Sequence, residues 1–274
     1  MRRTRYTKRV TPPSKQQIAD AFTAAADLHD APPLRFFTTF GERTVERAGL
    51  KSGEYVLDVC CGSGTTAIPA SRTVAPAGRV IGLDLAAPLL ELARAKAAAA
   101  SVSNVEFRQA DFDQVFFRPQ SFNAVVCQFG IFFFPDMPAT LAKMWRFLRP
   151  GGRLVTTTWG PGAFEPAQPI FFEALRRERP DLEQSLSARR QLSEPGSVAQ
   201  LFATAGIEAH EYPEDHDHPL ESAEDWWTIC LGSSYRGRID QLTEEQRSRV
   251  RDACLAMTAR SIRMPVVYTI AQKG

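Results

Sequence analysis

Short runs of apolar and β-branched residues alternate along the middle of the chain with segments in which apolar positions recur at helical spacing. Strands buried on both faces read as continuous apolar runs, and their alternation with helices is typical of parallel βαβ units. The pattern therefore predicts a doubly wound α/β fold. Its predicted strands are Tyr55–Val59, Arg79–Asp84, Val105–Ala110, Ala124–Gln128 and Gly152–Trp159, and its predicted helices are Thr65–Val74, Ala87–Ala100 and Pro138–Phe147.

The region before the first strand predicts two helices. Ser14 and Gln17 have the spacing of a capping box, in which each side chain bonds the other residue's backbone amide, and a helix is predicted from there to about Leu28. A second helix is predicted from about Leu34 to Gly49, a residue that tolerates the left-handed conformation after a last helical turn. We expect these two helices to cover one end of the sheet.

The alternation is interrupted after Trp159. Two strands separated by helices at the end of a parallel sheet indicate an antiparallel edge pair with an inserted cap. The predicted architecture is a Rossmann-like seven-strand sheet whose last strand is antiparallel. Late helices are predicted at 164–179, 196–205, 221–231 and 244–262, and late strands at 207–212 and 265–271. The predicted segments are a basic tail at 1–13, cap helices at 14–50, a core at 51–160 and the remaining sheet with a helical cap at 161–274.

The composition is that of an ordinary soluble globular protein, with 44% hydrophobic and 23% charged residues among 274. The net charge is +2, but five basic residues lie within the first nine positions, so the remaining body carries −3 and predicts no nucleic-acid partner. We expect the basic tail to be disordered. No apolar run reaches the roughly 18 residues that span a bilayer, so we expect a cytoplasmic protein without a membrane partner. A homo-oligomer is compatible with the sequence.

The cysteines and histidines are too scattered to predict a metal site. The five cysteines are odd in number and show no metal-type pairing, which indicates free thiols in a reducing compartment. The run at 214–218 alternates acids with His216 and His218 and could imitate a metal site, but alternating charges after a strand are more typical of a solvated loop. We therefore expect no metal.

The first predicted strand runs into a glycine turn that spans 58–66. Gly62 to Ala67 satisfies the G-x-G-x-x-A fingerprint of dinucleotide sites, in which amides and a helix N-terminus hold two phosphates. A carboxylate at Asp58 would repel those phosphates and favours a cationic ligand. S-adenosylmethionine has an ammonium, a sulfonium and no phosphate, so we predict it as the cofactor.

Two further acids follow the next two predicted strands. Asp84 lies twenty residues after the last glycine of the turn, the spacing at which an acid accepts hydrogen bonds from ribose hydroxyls. Asp111 follows Ala110, where a carboxylate can accept a hydrogen bond from the adenine amino group while Leu85 and Phe112 cover the ring. Each acid alone could cap a helix or a turn. Acids at three successive strand ends favour an adenosine site.

These residues together resemble the class I S-adenosylmethionine-dependent methyltransferases that act on small molecules. The resemblance covers about Tyr55 to Trp159. One departure is Cys60, which stands where many members have the first glycine, a substitution similar to that of the quinone-biosynthesis branch. The matching stretches are Val56–Gly64 for the first motif, Asp84 for the ribose acid, Ala110-Asp111 for the adenine contact, Cys127–Asp136 after the fourth strand and Leu148–Gly152 before the fifth.

The resemblance implies roles for the glycine turn and for the end of the fourth strand. The backbone carbonyls of Cys60 and Gln128 would receive the methionine ammonium, and Gly62 and Gly64 would let the cofactor approach the backbone. Phe129 would flank the methyl group, although plain hydrophobic core is the alternative for residues 129–134. The predicted cofactor-binding set is Asp58, Cys60, Gly62, Gly64, Asp84, Leu85, Ala110, Asp111, Phe112, Gln128 and Phe129.

The cap segments are rich in aromatic residues, which predicts an apolar acceptor pocket. Ordinary packing of a cap on a sheet would give the same composition. A sulfonium is an activated leaving group, so alignment can suffice for methyl transfer, whereas an oxygen or carbon acceptor can require a base. His29, between the first two helices, is the candidate catalytic base, and a surface or capping role is its alternative. The predicted acceptor-binding residues are Phe36, Phe37, Phe40, Trp159, Trp226 and Trp227.

The predicted function is transfer of a methyl group from S-adenosylmethionine, with S-adenosylhomocysteine as product, to oxygen, nitrogen or carbon of a small apolar or aromatic molecule. Three alternatives stay open at this point. The first is a protein that uses the cofactor structurally or for a cyclisation. The second is an NAD(P)-dependent oxidoreductase, which Asp58, Asp111 and the lack of a Tyr-x-x-x-Lys pair disfavour. The third is a non-catalytic module that regulates a partner.

Overall fold

The computed structural model describes residues 13–182 and 191–274, so the predicted basic tail lies outside the described residues except for Pro13. The helices are α1 (Lys15–Ala25), α2 (Phe36–Ala48), α3 (Ala67–Val74), α4 (Ala87–Ala99), α5 (Met137–Phe147), α6 (Ala167–Glu178), α7 (Ser197–Thr204), α8 (Ala223–Leu231), α9 (Arg236–Ile239) and α10 (Glu244–Leu255). The strands are β1 (Tyr55–Val59), β2 (Arg79–Asp84), β3 (Val105–Gln109), β4 (Phe122–Gln128), β5 (Leu148–Trp159), β6 (His210–Glu214), β7 (Asp217–Pro219), β8 (Ser261–Arg263) and β9 (Val266–Gln272).

Seven of the strands form one sheet in the order β3-β2-β1-β4-β5-β9-β6. β1 pairs in parallel with β2 and β4, β2 with β3, and β4 with β5. β9 is antiparallel to both β5 and β6. The predicted Rossmann-like sheet with an antiparallel last strand is therefore confirmed. The strand order reverses between β1 and β4, and in parallel sheets such a point opens a ligand crevice beyond the carboxyl ends of the strands.

Helices cover both faces of this sheet. Because successive side chains of a strand point to opposite faces, neighbouring residues of β1 enter different cores. Val56 packs with α2, α3 and α4, whereas Leu57 packs with α5 and α7 on the other face. Val45 and Ala48 of α2 belong to the first of these cores, so the helix predicted as part of the cap packs its C-terminal half on the sheet. This arrangement is the doubly wound fold that the sequence predicts.

The cap has an aromatic core of its own, formed by α6, α8 and α10 with the first turns of α2. α1 lies outside this core, against α9 and α4. Gly237 makes the contact with α9 close, since a Cβ at that position would lie 2.8 Å from the Cβ of Ala21. Among residues 13–182 and 191–274, no helix combines the length with the apolar composition that crossing a bilayer requires.

The late part of the chain differs from the prediction in two places. The helix predicted at 244–262 ends at Leu255, because Ile262 is buried in β8, which pairs with β7 in a separate two-stranded sheet. The solvated loop predicted at 214–218 is also wrong. Glu214 ends β6 and forms ion pairs with both Arg43 and Arg47 of α2, so two strands and a salt-bridge cluster occupy this stretch.

Candidate active site

A cavity opens at the carboxyl ends of β1, β2, β3 and β4, where the strand order reverses. We call it the central cavity. Its floor is made by the residues that directly follow these strands, and its roof by α1, by the start of α2 and by residues 233–235 between α8 and α9. Nine of the eleven residues predicted to bind the cofactor line it: Cys60, Gly62, Asp84, Leu85, Ala110, Asp111, Phe112, Gln128 and Phe129.

The turn after β1 adopts the left-handed backbone conformation at alternate positions. Cys60, Gly62 and Gly64 have φ values of 61°, 51° and 80°. A left-handed residue with a side chain costs about 1–2 kcal/mol, which explains why glycine is common at the first of these positions and means that Cys60 is held there by its surroundings. Gly62 faces the roof, because a Cβ there would lie 3.8 Å from His29 Nε2.

Gly64, unlike Gly62, does not line the central cavity. A Cβ at Gly64 would lie 3.1 Å from Phe107 Cζ and 3.2 Å from both Ala93 Cβ and Ile68 Cδ1. Glycine is required there by its φ value and by the close packing of α3, α4 and β3 around the turn.

Asp58 is the second predicted cofactor residue that lies outside the central cavity. Its side chain is fully buried, and neither carboxylate oxygen has a hydrogen-bond partner of good geometry among the described residues. Burial and the nearby Asp84 carboxylate raise the pKa of Asp58 well above its ordinary value, while the backbone amide of Ala67, the first residue of α3, acts in the opposite direction. Asp58 therefore faces the N-terminus of α3, not the ligand crevice.

Asp84 is oriented by the backbone on both sides of the central cavity's floor. Its Oδ2 accepts a hydrogen bond from the Gly62 amide at 2.9 Å, and its Oδ1 accepts one from the Ala86 amide at 2.9 Å. Burial raises its pKa, and the surrounding amides counteract that rise. The carboxylate is thus fixed at the floor of the cavity with lone pairs left to accept further hydrogen bonds.

Asp111 follows β3 and carries an unexpected ion pair. Lys15, at the start of α1, places its Nζ 2.7 Å from Asp111 Oδ1 and also contacts Asp113. Although partial burial acts to raise it, the pKa of Asp111 is lowered overall, because Lys15 and the Asp113 amide both donate to its carboxylate. Lys15 lines the central cavity as well, so the first turn of α1 is fastened over the end of β3.

The side chain of Gln128 ties the glycine turn to the roof. Its Oε1 accepts hydrogen bonds from the hydroxyls of Thr65 at 3.1 Å and Thr66 at 2.6 Å, and its Nε2 donates to the Phe37 carbonyl at 2.8 Å. With these three bonds its side chain is engaged with the protein.

His29 lies in the roof and is only 6% exposed. Its Nδ1 is 2.8 Å from the Gly232 carbonyl, which can only accept, so Nδ1 carries the proton and Nε2 has the free lone pair of a neutral ring. The ring stacks on Phe37 with 5.0 Å between centroids. Burial lowers the pKa of His29 despite the Gly232 bond and Asp30, which raise it. His29 is therefore a neutral imidazole whose acceptor nitrogen faces the glycine turn.

Three of the six predicted acceptor residues line the central cavity, namely Phe36, Phe37 and Trp159. Phe40, Trp226 and Trp227 do not line it and are buried in the aromatic core of the cap, to which Phe36 and Trp159 also belong. Periodicity identifies such residues as buried but not which face of the cap they occupy. Lining residues outside the two predicted sets include Lys15, Ile18, Phe22, Phe132, Phe133, Phe164, Ile229, Ser233, Ser234 and Tyr235.

The aromatic lining is ordered around one stacked pair. Phe129 and Trp159 lie 3.9 Å apart with an interplanar angle of 8°, and Phe37 meets Phe129 edge-on at 5.9 Å. Phe129 has a φ of 52°, a left-handed conformation that turns its side chain out of β4 and over the cavity. These rings stand beyond β4 and β5, on the far side of the glycine turn from Asp84 and Asp111.

The charges of the central cavity suit a cation. Its charged lining residues are Asp84, Asp111 and Lys15, and the lysine is committed to two carboxylates. A pyrophosphate would be repelled by the Asp84 carboxylate at this floor, whereas a sulfonium with an ammonium is attracted to it. The residues present therefore fit S-adenosylmethionine. No group of three or more His, Cys, Asp or Glu residues in the described parts of the chain could hold a metal ion.

Comparisons with known proteins agree with this geometry. A family model described as a methyltransferase domain matches residues 56–152. The chain is 32% identical over 216 residues to nocamycin O-methyltransferase from Saccharothrix syringae, a match that spans 74% of this chain and 77% of that protein. It is 27% identical over 224 residues to demethylmenaquinone methyltransferase from Lactococcus lactis subsp. lactis (strain IL1403), spanning 76% and 88% of the two chains.

Among solved structures, the YcgJ protein from Bacillus subtilis has a similar fold. The two structures superpose with a TM-score of 0.58 at 18% sequence identity, over 86% of this chain and 98% of that one. At this level of identity the likeness concerns the fold, and it confirms the Rossmann-like architecture described above.

Proposed function

This chain belongs to the class I S-adenosylmethionine-dependent methyltransferases, and from that membership we propose that it methylates a small, uncharged aromatic molecule with His29 as general base. The observation that carries the proposal is the division of the central cavity into two ends. Its charged residues Asp84 and Asp111 follow β2 and β3, whereas the stacked rings of Phe129 and Trp159 lie beyond β4 and β5, and His29 lies between the two ends, over the glycine turn.

The charged end is proposed to hold the cofactor. S-adenosylmethionine, when bound, supplies a methyl group made electrophilic by the positive sulfur that carries it. Asp84 would accept hydrogen bonds from the ribose hydroxyls, since its carboxylate is held in place by two amides. Asp111 would accept one from adenine, with Ala110, Leu85 and Phe112 around the ring. The carbonyls of Cys60 and Gln128 would receive the ammonium, and Phe129 would border the methyl group.

The aromatic end is proposed to hold the acceptor. The stacked Phe129 and Trp159, with Phe36 and Phe37, form flat apolar walls, and these favour a planar ring. Apart from His29, the polar lining residues outside the cofactor end are uncharged: Thr65 and Gln128, whose side chains bond each other, and Ser233, Ser234 and Tyr235 of the roof. A charged acceptor would have to lose its hydration without a counter-ion, so an uncharged acceptor is favoured.

His29 has the geometry of a general base. Its Nδ1 proton is committed to the Gly232 carbonyl, so the Nε2 lone pair is the one that can accept a proton. Because its pKa is lowered, the ring is neutral at physiological pH. Nε2 faces Gly62 of the glycine turn, which places the base between the cofactor end and the aromatic end. An acceptor hydroxyl positioned there would lose its proton to Nε2 as it attacks.

A matched pair of probe acceptors tests the proposed acceptor class. 2-Naphthol and 2-naphthoate have the same ring system and differ in charge at neutral pH. With S-adenosylmethionine carrying a deuterated methyl group, mass spectrometry should detect the labelled methyl ether of naphthol and little or no ester of naphthoate. Preferential labelling of naphthoate would contradict an uncharged aromatic acceptor. The same conclusion would follow if neither naphthol nor hydroquinones with the same ring system gave a labelled product.

The base is tested by His29→Gln, which keeps polarity but removes the titrating nitrogen. We expect turnover on naphthol to fall by about 100-fold or more, the scale of general-base catalysis. Because the pKa of His29 is lowered, the wild-type rate should lose activity on the acid side with a midpoint below 6.5, and that limb should vanish in the variant. His210→Gln, at an exposed histidine of β6, is the control. Unchanged turnover of His29→Gln would exclude the base.

A further inference from the structure

A polar cluster behind the glycine turn connects the His29 segment to the cofactor floor. Ser63 is fully buried, and its hydroxyl donates to Asp30 Oδ1 at 2.7 Å. Lys96 of α4 places its Nζ 2.9 Å from the Ser63 hydroxyl and 2.9 Å from Asp30 Oδ2. Asp30 is the residue that follows His29 in the chain. The Asp30–Ser63–Lys96 cluster thus joins three separate elements next to the base.

Two consecutive residues of the glycine turn form hydrogen bonds with opposite parts of the site, one with the cofactor floor and the other with the segment that carries His29. The amide of Gly62 donates to Asp84, and the hydroxyl of the next residue, Ser63, donates to Asp30. The side chain of Ser63 is absent from the lining of the central cavity, so it points away from the ligand. One turn therefore fixes the carboxylate at the cofactor end and also anchors the segment that carries His29.

We propose that Asp30 is a positioning residue, which holds His29 at a fixed distance from the cofactor floor through its hydrogen bond with the buried Ser63 hydroxyl. This inference rests on the proposed role of His29. Without the bond, His29 would be held by contacts within the roof: its ring meets the Gly232 carbonyl, Phe37 and Phe22, and its amide donates to the Ala26 carbonyl. The segment that carries His29 could then open away from the cofactor floor more often, and each opening would expose the ring to solvent.

The Ser63 bond, more than the ion pair, carries this role. Asp30 and Lys96 have side chains that are 33% and 35% exposed, and ion pairs at that exposure are screened by solvent and contribute little. The Ser63 hydroxyl is buried, so loss of its acceptor leaves a polar group that water cannot solvate. Asp30→Asn keeps an oxygen acceptor for Ser63, whereas Asp30→Ala removes it. The two variants separate the hydrogen bond from the charge.

The placement of His29 can be followed by NMR, through the solvent exchange of its Nδ1–H in protein saturated with S-adenosylhomocysteine. Its Nδ1–H is assigned among the four histidines by its disappearance in His29→Gln. We expect Asp30→Ala to accelerate solvent exchange of this proton by about tenfold or more, the effect of losing one buried hydrogen bond. Asp30→Asn should restore exchange to within about threefold of wild type. The charged groups that act on His29 are Asp30, Lys96 and Asp84, so the loss of the Asp30 charge should also lower its imidazole pKa.

Two further variants keep the test decisive. Ser63→Ala removes the same bond from the other side and should match the direction of Asp30→Ala, even if the latter does not fold. Asp27→Ala is the matched control, because Asp27 is exposed and its ion pair with Arg236 spans 3.9 Å. The S-adenosylhomocysteine dissociation constant should stay within about threefold of wild type in all of these variants.

Three results would overturn the proposal. They are unchanged exchange in Asp30→Ala and Ser63→Ala, an Asp30→Asn variant as impaired as Asp30→Ala, or loss of S-adenosylhomocysteine affinity in parallel with faster exchange, which would indicate a merely structural role. Failure of the proposed base is read separately, from the turnover of His29→Gln on naphthol. In that case the exchange data still decide whether Asp30 holds the ring.

Discussion

At the scale of single residues, Asp58 and Asp84 show how the backbone decides what a carboxylate does. Both lie near the ends of neighbouring strands, and the pKa of each is raised by burial. Asp84 receives two amide hydrogen bonds and stands in the central cavity, whereas Asp58 has no well-formed bond and stands behind it. Asp58 therefore places a buried carboxyl group against the start of α3, whereas Asp84 places its carboxyl group in the central cavity.

Replacement of Asp58 by asparagine should reveal this cost. The pKa of Asp58 in the folded protein lies above its unfolded value near 3.8. The contribution of Asp58 to the free energy of unfolding is therefore most favourable below pH 3.8 and is lost as the pH rises through the folded pKa. Asparagine does not ionise, so the free energy of unfolding of Asp58→Asn at pH 7 should be no lower than that of wild type. We expect it to be higher by about 1 kcal/mol or more. The difference should shrink toward pH 4, as measured by urea unfolding.

Asp27→Asn, at an exposed carboxylate, provides the comparison and should show no such trend. An Asp58→Asn variant less stable than wild type at pH 7 would contradict the interpretation, because it would mean that the ionised carboxylate holds the turn in place.

At the scale of elements, the unit formed by β1, the glycine turn and α3 is tightly specified by packing. Gly64 is surrounded by Phe107, Ala93 and Ile68, so the turn can approach β3 and α4 only without a side chain. The sequence identifies Gly64 as part of the turn, and the family resemblance implies that this glycine lets the cofactor approach the backbone. The G-x-G spacing is the same whether a glycine faces a cofactor or a helix, so spacing alone does not separate the two.

Gly64→Ala and Gly53→Ala form a matched pair that tests this packing role. Both positions have a left-handed φ, of 80° and 87°, but a Cβ on Gly53 would meet nothing within 4 Å. Strain alone should cost each variant about 1 kcal/mol. Overpacking should cost Gly64→Ala a further 1–3 kcal/mol or so in unfolding experiments. Equal costs for the two variants would show that Gly64 is constrained by its backbone only.

The first turn of α1 is a second element whose role depends on one contact. Lys15 pairs with Asp111 and Asp113 across the mouth of the central cavity. In Lys15→Ala we expect S-adenosylhomocysteine to dissociate about two- to fivefold faster, since a partly exposed ion pair contributes up to about 1 kcal/mol. Added salt should accelerate dissociation from wild type but not from the variant.

Stopped-flow displacement measures these rates, and Lys51→Ala, at an exposed lysine after α2, is the control. Identical dissociation rates and salt dependence for Lys15→Ala and wild type would mean that α1 is held over the cavity by its apolar contacts alone.

At the scale of the whole molecule, the sheet was predictable and the roof was not. Buried parallel strands are short apolar runs with turn residues at their ends, so the boundaries of β1 and β2 agree with the prediction to the residue. The cap has no such signal. Trp226 and Tyr235 both belong to the aromatic core of the cap, yet Tyr235 also lines the central cavity and Trp226 does not. Which face a short helix turns inward is decided by tertiary packing, which hydrophobic periodicity does not encode.

In the candidate site, too, some residues could be predicted from the sequence and others could not. Residues at strand ends, such as Asp84 and Gln128, were predicted because strand order fixes where they meet. His29 was a candidate from its position between two helices, but its orientation depends on the Gly232 carbonyl, 203 positions later in the chain. The contacts of Lys15 with Asp111 and of Asp30 with Ser63 join residues 96 and 33 positions apart. Contacts of this kind have no local pattern from which they could be predicted.

The most direct test of the account is isothermal titration of the full chain with S-adenosylhomocysteine and, separately, with NADH. The account predicts that S-adenosylhomocysteine binds at one site per chain and that NADH does not bind measurably, because the cavity floor is negative and its lysine is already paired. Asp84→Asn should weaken S-adenosylhomocysteine binding by about tenfold or more through loss of a charged hydrogen-bond acceptor. Binding of NADH in preference to S-adenosylhomocysteine, or an affinity unchanged by Asp84→Asn, would contradict it.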